Sequence, residues 1–202
     1  MARYTGPKGR INRRLGMMVY ESNGALKALE KRKNPPGMHT RGRRPSNYGL
    51  GLREKQKIKH YYGVSEKQLR RYFDIAKHSK GNTGDNLLLL CERRLDNVVR
   101  RVGLTKTRPQ SRQGVAHGHF HVNGARVDIA SFQVRPGDVI TVRVNEKLRN
   151  YYRGNLANSN TEGLEWAGFD GDTMTITVQS QPSATDVSLP VDCNMVVEFM
   201  SR

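Results

Sequence analysis

Two sets of side chains in this 202-residue chain could do chemistry, an alternating histidine tract and a dense set of arginines. His117, His119 and His121 would project to one side if all three sat on a strand, a geometry that can ligate a transition metal. No cysteine lies near them, Asp128 is their one close carboxylate, and Gly118 interrupts the spacing. They therefore read as imidazoles that face a polyanion or lie exposed at a sheet edge. The second set is Arg93, Arg94, Asn97, Arg100 and Arg101, followed by Arg108, Arg112, Gln113 and Arg126. Guanidinium groups are planar five-donor forks suited to bidentate contact with phosphate. Catalytic patterns are missing: no Gly-rich loop is followed by Lys-Ser/Thr, and neither HExxH nor GxSxG occurs. Asp96 lies at helical spacing from Arg93 and Arg100, and Glu54 precedes several lysines, so both are expected in ordinary ion pairs. The chain is not expected to be an enzyme and carries no cofactor signature.

The elements that must position these groups follow from periodicity. Leu87, Cys91, Leu95, Val98, Val99 and Val102 fall within about 120° of a helical wheel, and the cationic set falls within about 120° roughly opposite. This predicts one helix over about Asp85–Val102, packed on one face and presenting four guanidinium groups on the other. Gly103 ends it. Thr107 and Gln110 form a capping pair with Pro109 in the first turn, which starts a short helix to about Ala116. The period then changes to two. His119–Val122 and Ala125–Asp128 flank Asn123-Gly124, the signature of a two-residue type I′ hairpin. That turn pairs Val122 with Ala125 and Phe120 with Val127, leaving His119, His121 and Arg126 on the opposite face. Val139–Val144 follows as a strand.

Upstream, Leu52–Tyr62 is predicted helical, with Arg53, Lys55, Lys57 and Lys59 on it. Ser65 and Gln68 cap a second helix whose Leu69, Tyr72, Phe73 and Ala76 form one buried stripe, leaving Lys67, Arg70, Arg71 and Lys77 outside. Residues 1–47 read as a largely extended arm with one short helix near Ala25–Lys33, stopped by Asn34-Pro35-Pro36-Gly37. The basic stretch Arg41–Pro45 is expected to order only on phosphate. Near the end, Tyr151–Asn160 reads as loop, and Met174–Val178 and Met195–Phe199 read as short strands.

Charge is segregated along these elements. The net charge of +17 divides into +16 over residues 1–80, +6 over residues 81–150 and −5 over residues 151–202. A protein laid along a polyanion through its first two-thirds would show this pattern, because each neutralised phosphate releases counterions; the plain alternative is a solvated basic tail on an unrelated domain. Five apolar residues, Leu87–Cys91, make the longest such run, far below the ~18 of a membrane span. Cys91 and Cys193 are too far apart in sequence, and too few, for a disulfide framework or a tetrahedral zinc site. An intracellular, thiol-reduced protein with no membrane association is expected, with RNA or DNA as partner.

Several collinear motifs narrow this. Tyr4-Thr5-Gly6-Pro7-Lys8, Pro36-Gly37 with His39, Leu52-Arg53-Glu54-Lys55-Gln56-Lys57, Tyr62-Gly63-Val64, Gly81-Asn82-Thr83-Gly84, Arg94-Leu95-Asp96-Asn97-Val98-Val99, Val122-Asn123-Gly124 and Val197-Glu198-Phe199-Met200-Ser201-Arg202 occur in this order. Together they closely resemble the S-four family of bacterial small-subunit ribosomal proteins. The likeness runs from residue 3 to residue 202 and is weakest between about 145 and 190.

The resemblance implies an α+β fold: a mostly helical, basic N-terminal region over residues 1–90, an S-four-type RNA-binding domain (helix–helix–hairpin with a small, mostly antiparallel sheet) over 91–157, and an acidic, short-stranded segment over 158–202 packing on the protein. It implies a structural constituent of the cytoplasmic small ribosomal subunit: a primary binder that organises a helix junction in the five-prime domain of small-subunit ribosomal RNA, nucleates assembly and contributes to translational accuracy. Ribosomal proteins S-three and S-five, and messenger RNA where it enters the subunit, are the implied neighbours; no homo-oligomer is expected. Arg41, Arg43 and Arg44 would lie near the messenger. The candidate RNA contacts are completed by Arg3, Lys8, Arg10, Arg13 and Arg14, beside the residues named above. Many relatives begin a zinc-binding cysteine cluster at the positions held here by Gly9 and Asn12, so no zinc is expected in this region. Rival readings are a free-standing RNA chaperone or messenger regulator, separable by sedimentation with small subunits, and a DNA-binding architectural protein, separable by DNA-versus-RNA competition. Reversing Arg94 and Arg101 together to glutamate is expected to weaken RNA binding and leave folding nearly intact.

Overall fold

The computed structural model describes residues 4–38, 44–157 and 164–201. Its helices in chain order are α1 (Lys8–Leu15), α2 (Asn23–Lys31), α3 (Asn47–Tyr61), α4 (Glu66–His78), α5 (Thr83–Glu92), α6 (Leu95–Arg101), α7 (Arg108–Ala116), α8 (Glu146–Leu156) and α9 (Cys193–Ser201). The strands are β1 (Phe120–Val122), β2 (Ala125–Arg126), β3 (Val139–Val142), β4 (Ala167–Asp170) and β5 (Thr175–Val178). Helices with an antiparallel sheet make the fold α+β, as predicted. The chain divides into two compact units, Met1–Leu87 with Leu189–Arg202, and Leu88–Ser188, the boundary falling inside α5.

In the first unit α4 follows its sequence pattern. Ser65 Oγ accepts from the Gln68 amide at 3.2 Å, Leu69, Tyr72, Phe73 and Ala76 are buried, and Lys67, Arg70, Arg71 and Lys77 stay exposed. α3 starts earlier than predicted because Ser46 Oγ accepts from the Gly49 amide at 3.2 Å and caps an added turn. The described residues among 1–46 hold two helices where one was expected. α1 begins directly after Pro7, whose fixed φ suits a helix start, and ends at Gly16 in the left-handed region (φ 70°). It buries Ile11 and Asn12 against Val19, Tyr20 and Ala25. Met195–Phe199, expected as a strand, lies in α9. The Asp192 carboxylate accepts from the Asn194 and Met195 amides at 3.0 and 3.2 Å, which caps the first turn. The Phe199 ring then packs 5.0 Å from Tyr48 of α3, with Lys55 Nζ 4.8 Å from its centroid. Capping and packing override the strand preference of the Val196-Val197 pair.

In the second unit the strand order is β2-β1-β3-β5-β4, every pair antiparallel. The hairpin register is the predicted one, with Val122 opposite Ala125 and His121 opposite Arg126. Asn123 and Gly124 both have positive φ, 50° and 81°, as a type I′ turn demands. Leu95, Val98 and Val99 from α6, Val115 from α7 and Tyr152 from α8 share one core with Phe120, Ile140, Ile176 and Trp166. Two sequence readings fail here. Tyr151–Asn160 was expected as loop, yet Glu146–Leu156 is helix α8, begun by Asn145 Oδ1 accepting from the Leu148 amide at 3.2 Å. The single helix expected over Asp85–Val102 is two, α5 and α6, with Arg94 extended between them (φ −68°, ψ 136°). Non-local backbone pairing breaks it: the Leu95 and Asp96 amides donate to the Phe132 and Ala130 carbonyls at 2.9 and 3.3 Å, and the Val134 amide donates to the Arg93 carbonyl at 2.9 Å.

Candidate nucleic-acid interface

The break between α5 and α6 turns part of the predicted outer face inward. Arg94 is buried and donates through Nε and Nη2 to the Asp96 carboxylate at 2.9 and 2.6 Å, a bidentate pair. Arg112 Nη1 reaches the same carboxylate at 3.6 Å, and Ser111 Oγ donates to the Asp96 carbonyl. Asp96 thus pairs with Arg94 and Arg112. Buried Asn97 donates to Glu92 Oε2 at 2.7 Å and accepts from Arg108 Nε at 2.9 Å, with Arg108 itself buried. Arg101 Nη1 lies 3.2 Å from Glu92 Oε2 and donates to the Asp186 carbonyl at 2.5 Å. Arg93 Nε donates to the Val134 carbonyl at 3.0 Å. Arg94, Asn97 and Arg108, expected on an outer face, are instead buried in a polar network that ties α5, α6 and α7 together. Arg93, Arg101 and Arg112 are half-buried with protein partners, and Arg100 is half-buried.

Other predicted contacts of this unit are exposed. Arg126, Gln113 and His117 are exposed, and so are Lys106, Arg135 and Arg143, which the periodicity reading passed over. The Arg126 guanidinium lies over Gly118, where a Cβ would stand 2.2 Å from its Nε and where φ is +69°, so only glycine fits. The histidine tract is not a strand face: His117 caps α7, His119 precedes β1, and only His121 lies in β1. His119 Nδ1 is 2.9 Å from the Tyr152 hydroxyl, and its ring is edge-on to His117 at 5.7 Å. Burial, then the nearby His117 and Arg143, hold the His119 pKa below its ordinary value, which keeps it neutral near pH 7. Tyr151, missed as a loop residue, stands exposed on α8 and accepts from Gln110 Nε2 at 2.6 Å.

In the first unit Arg10, Arg14, Arg44, Arg53, Arg70 and Arg71 are exposed. Lys8 is half-buried, 5.8 Å from the Tyr20 ring centroid, and Arg13 donates to the Asn34 and Pro35 carbonyls at 2.9 and 3.4 Å. The lysines of α3 are engaged: Lys57 pairs with Glu54 at 2.5 Å, while Lys55 and Lys59 reach Glu66 at 2.6 and 3.1 Å. Burial alone would raise the Glu66 pKa, but its two lysine partners win and lower it. Arg3, Arg41 and Arg43 lie outside the described residues.

Asn12 forms a hydrogen-bonded knot, and Gly9 lets two helices meet closely. Asn12 Oδ1 accepts from the Val19 and Tyr20 amides at 3.2 and 2.9 Å, and its Nδ2 donates to the Tyr20 carbonyl at 3.0 Å. A Cβ on Gly9 would stand 2.8 Å from Ala28 Cβ, so α1 and α2 meet there directly. Among the described residues no cluster of His, Cys, Asp and Glu could hold a metal ion. Asn12→Ala leaves three backbone groups beside buried side chains unpaired, at about 1–3 kcal/mol each. The variant should unfold at lower denaturant by at least about 2 kcal/mol in circular dichroism; an unchanged midpoint would show that water replaces the carboxamide.

Among the described residues no helix is long and apolar enough to cross a membrane. Residues 3–92 match the family model of the ribosomal protein S4/S9 N-terminal domain, and residues 93–140 match that of the S4 domain. Over the full length of both chains, the sequence is 65% identical to the small ribosomal subunit protein uS4 of Rhodopirellula baltica. It is 46% identical to that of Bordetella avium and 44% to that of Desulfitobacterium hafniense, again end to end. These relatives are small-ribosomal-subunit proteins by name. Two adjoining domain matches and end-to-end similarity to its relatives place this chain in the uS4 family of small-ribosomal-subunit proteins.

Proposed function

We propose that the protein is a primary binder of small-subunit ribosomal RNA that holds a helix junction of the five-prime domain and nucleates assembly around it. The full-length identity to small-subunit ribosomal proteins carries this reading. The physical means is charge on stiff supports. A-form RNA hides its major groove from side chains, so recognition rests on phosphates, 2′-hydroxyls and the arrangement of helices. The supports are α1 with Arg10 and Arg14, α3 with Arg53, α4 with Arg70 and Arg71, and the hairpin with Arg126. Each stands on a packed element, so little ordering entropy opposes its contacts. Ribosomal proteins S-three and S-five as neighbours, Arg44 near the incoming messenger, and a contribution to decoding accuracy complete the proposal.

Filter binding tests it with three nucleic acids of equal length: the five-prime-domain transcript, a scrambled transcript and the DNA counterpart. The natural RNA should be held more than tenfold tighter than either competitor, about 1.4 kcal/mol or more. Equal retention of the scrambled RNA would refute junction recognition.

A further inference from the structure

Outside the arginine surfaces, one aromatic cluster has no use in the account above. Tyr4, Tyr20 and His60 line a cleft of about 270 Å³ together with Lys59, Ser65 and Glu66. The Tyr20 ring is buried and its hydroxyl lies 3.1 Å from His60 Nδ1. Tyr4 differs: 39% of it is exposed, yet its ring is held from several sides. It stands edge-on to His60 (centroids 5.3 Å, 78°) and offset-stacked on Tyr20 (6.1 Å, 25°), and its hydroxyl donates to the Pro7 carbonyl at 3.5 Å. It also rests on Gly6, where a methyl would come within 2.7 Å of the hydroxyl and 2.8 Å of the ring. A large ring kept rigid and partly open to water, on a protein of net charge +17, is a ready platform for a planar ligand.

The charges select which part of a nucleotide enters. Lys8 Nζ sits 5.8 Å from the Tyr20 centroid, Lys59 lines the cleft beside the rings, and exposed Arg10 and Arg14 belong to the neighbouring α1. Glu66 lies in the cleft wall and repels phosphate there, although Lys55 and Lys59 hold its carboxylate. The uncharged faces are aromatic and the cations lie around them, so the base goes in and its phosphate stays outside. We infer that the Tyr4–Tyr20–His60 cleft is a stacking site for a single unpaired nucleobase of RNA, with Tyr4 as the platform. This rests on the RNA-binding reading above and adds a contact that pairing geometry alone does not supply.

The test measures binding of the full-length protein and its Tyr4→Ala and Tyr4→Phe variants to the five-prime-domain transcript across a salt series. Base–aromatic stacking is sequence-tolerant and strong enough that Tyr4→Ala should weaken binding by roughly 5- to 150-fold. Tyr4→Phe should bind within about twofold of the parent, since it keeps the ring. The slope of log affinity against log salt should be the same for all three, because no phosphate contact is lost. Equal thermal midpoints for the parent and Tyr4→Ala establish that the variant is folded. If the parent binds the transcript and folded Tyr4→Ala binds equally well, the stacking site is refuted while the RNA-binding reading stands. A shallower salt slope, or equal losses in Tyr4→Ala and Tyr4→Phe, refutes it too, pointing to a charge or hydroxyl effect. Failure of the parent to bind removes both.

Discussion

An Arg94→Glu chain should fail to fold its second unit. The guanidinium is buried and bonded twice to Asp96, so the substitution sets two carboxylates against each other with no water to screen them. Removing one partner of a buried pair costs about 3–5 kcal/mol, and a reversal adds repulsion. Against a typical stability of about 5–15 kcal/mol, that is most of what holds a unit of this size together. The expected result is loss of near-ultraviolet dichroism and of dispersed amide resonances from residues 88–188. Arg126→Glu, a reversal on an exposed side chain, should keep both signals. The double change Arg94→Met with Asp96→Leu should recover folding, because a buried ion pair can be replaced by apolar groups of similar volume at little cost. A folded Arg94→Glu protein with the parent's midpoint would mean that Arg94 reaches solvent. The expectation from sequence, that reversing Arg94 with Arg101 spares the fold, is thereby inverted: the wheel assumed one continuous helix, and Arg101 also closes on Glu92.

Affinity for ribosomal RNA should collapse with salt. Arg10, Arg14, Arg44, Arg53, Arg70, Arg71 and Arg126 are exposed arginines of the proposed surface, and seven falls within the 6–10 phosphate contacts for which affinity drops about 10³–10⁵-fold between 50 and 200 mM salt. Reversing Arg70 and Arg71 together should weaken binding to cognate and scrambled RNA alike and lower the salt slope by about two. α4 would stay folded, since its apolar stripe of Leu69, Tyr72, Phe73 and Ala76 is untouched. A flat salt response in the parent protein would defeat the phosphate account. An unchanged slope in the double variant would move the contacts off α4.

Much of the fold is legible in the sequence. The Ser65 and Thr107 caps, the α4 stripe and the Asn123-Gly124 hairpin register are local features. Each depends on residues within a turn or two, so type and spacing suffice. The histidine tract shows where local reading stops: alternation in sequence became three different backbone settings, because Gly118 turns the chain between His117 and His119.

Two of the misread elements depend on a partner distant in the chain, whereas α8 and the early start of α3 rest on local caps at Asn145 and Ser46. α9 is a helix because Phe199 meets Tyr48 and Lys55, more than 140 residues earlier. α5 and α6 separate because residues 130–134 pair with the backbone from Arg93 to Asp96. That pairing alone turned Arg94, Asn97 and Arg108 from an apparent RNA face into an internal network. Composition and charge order reach a basic nucleic-acid binder, and the resemblance of its collinear motifs to the S-four family adds the α+β fold and the ribosome. Which arginines face the RNA depended on contacts made across the chain, since a guanidinium is worth the same on either side of a helix until folding supplies a carboxylate on one of them.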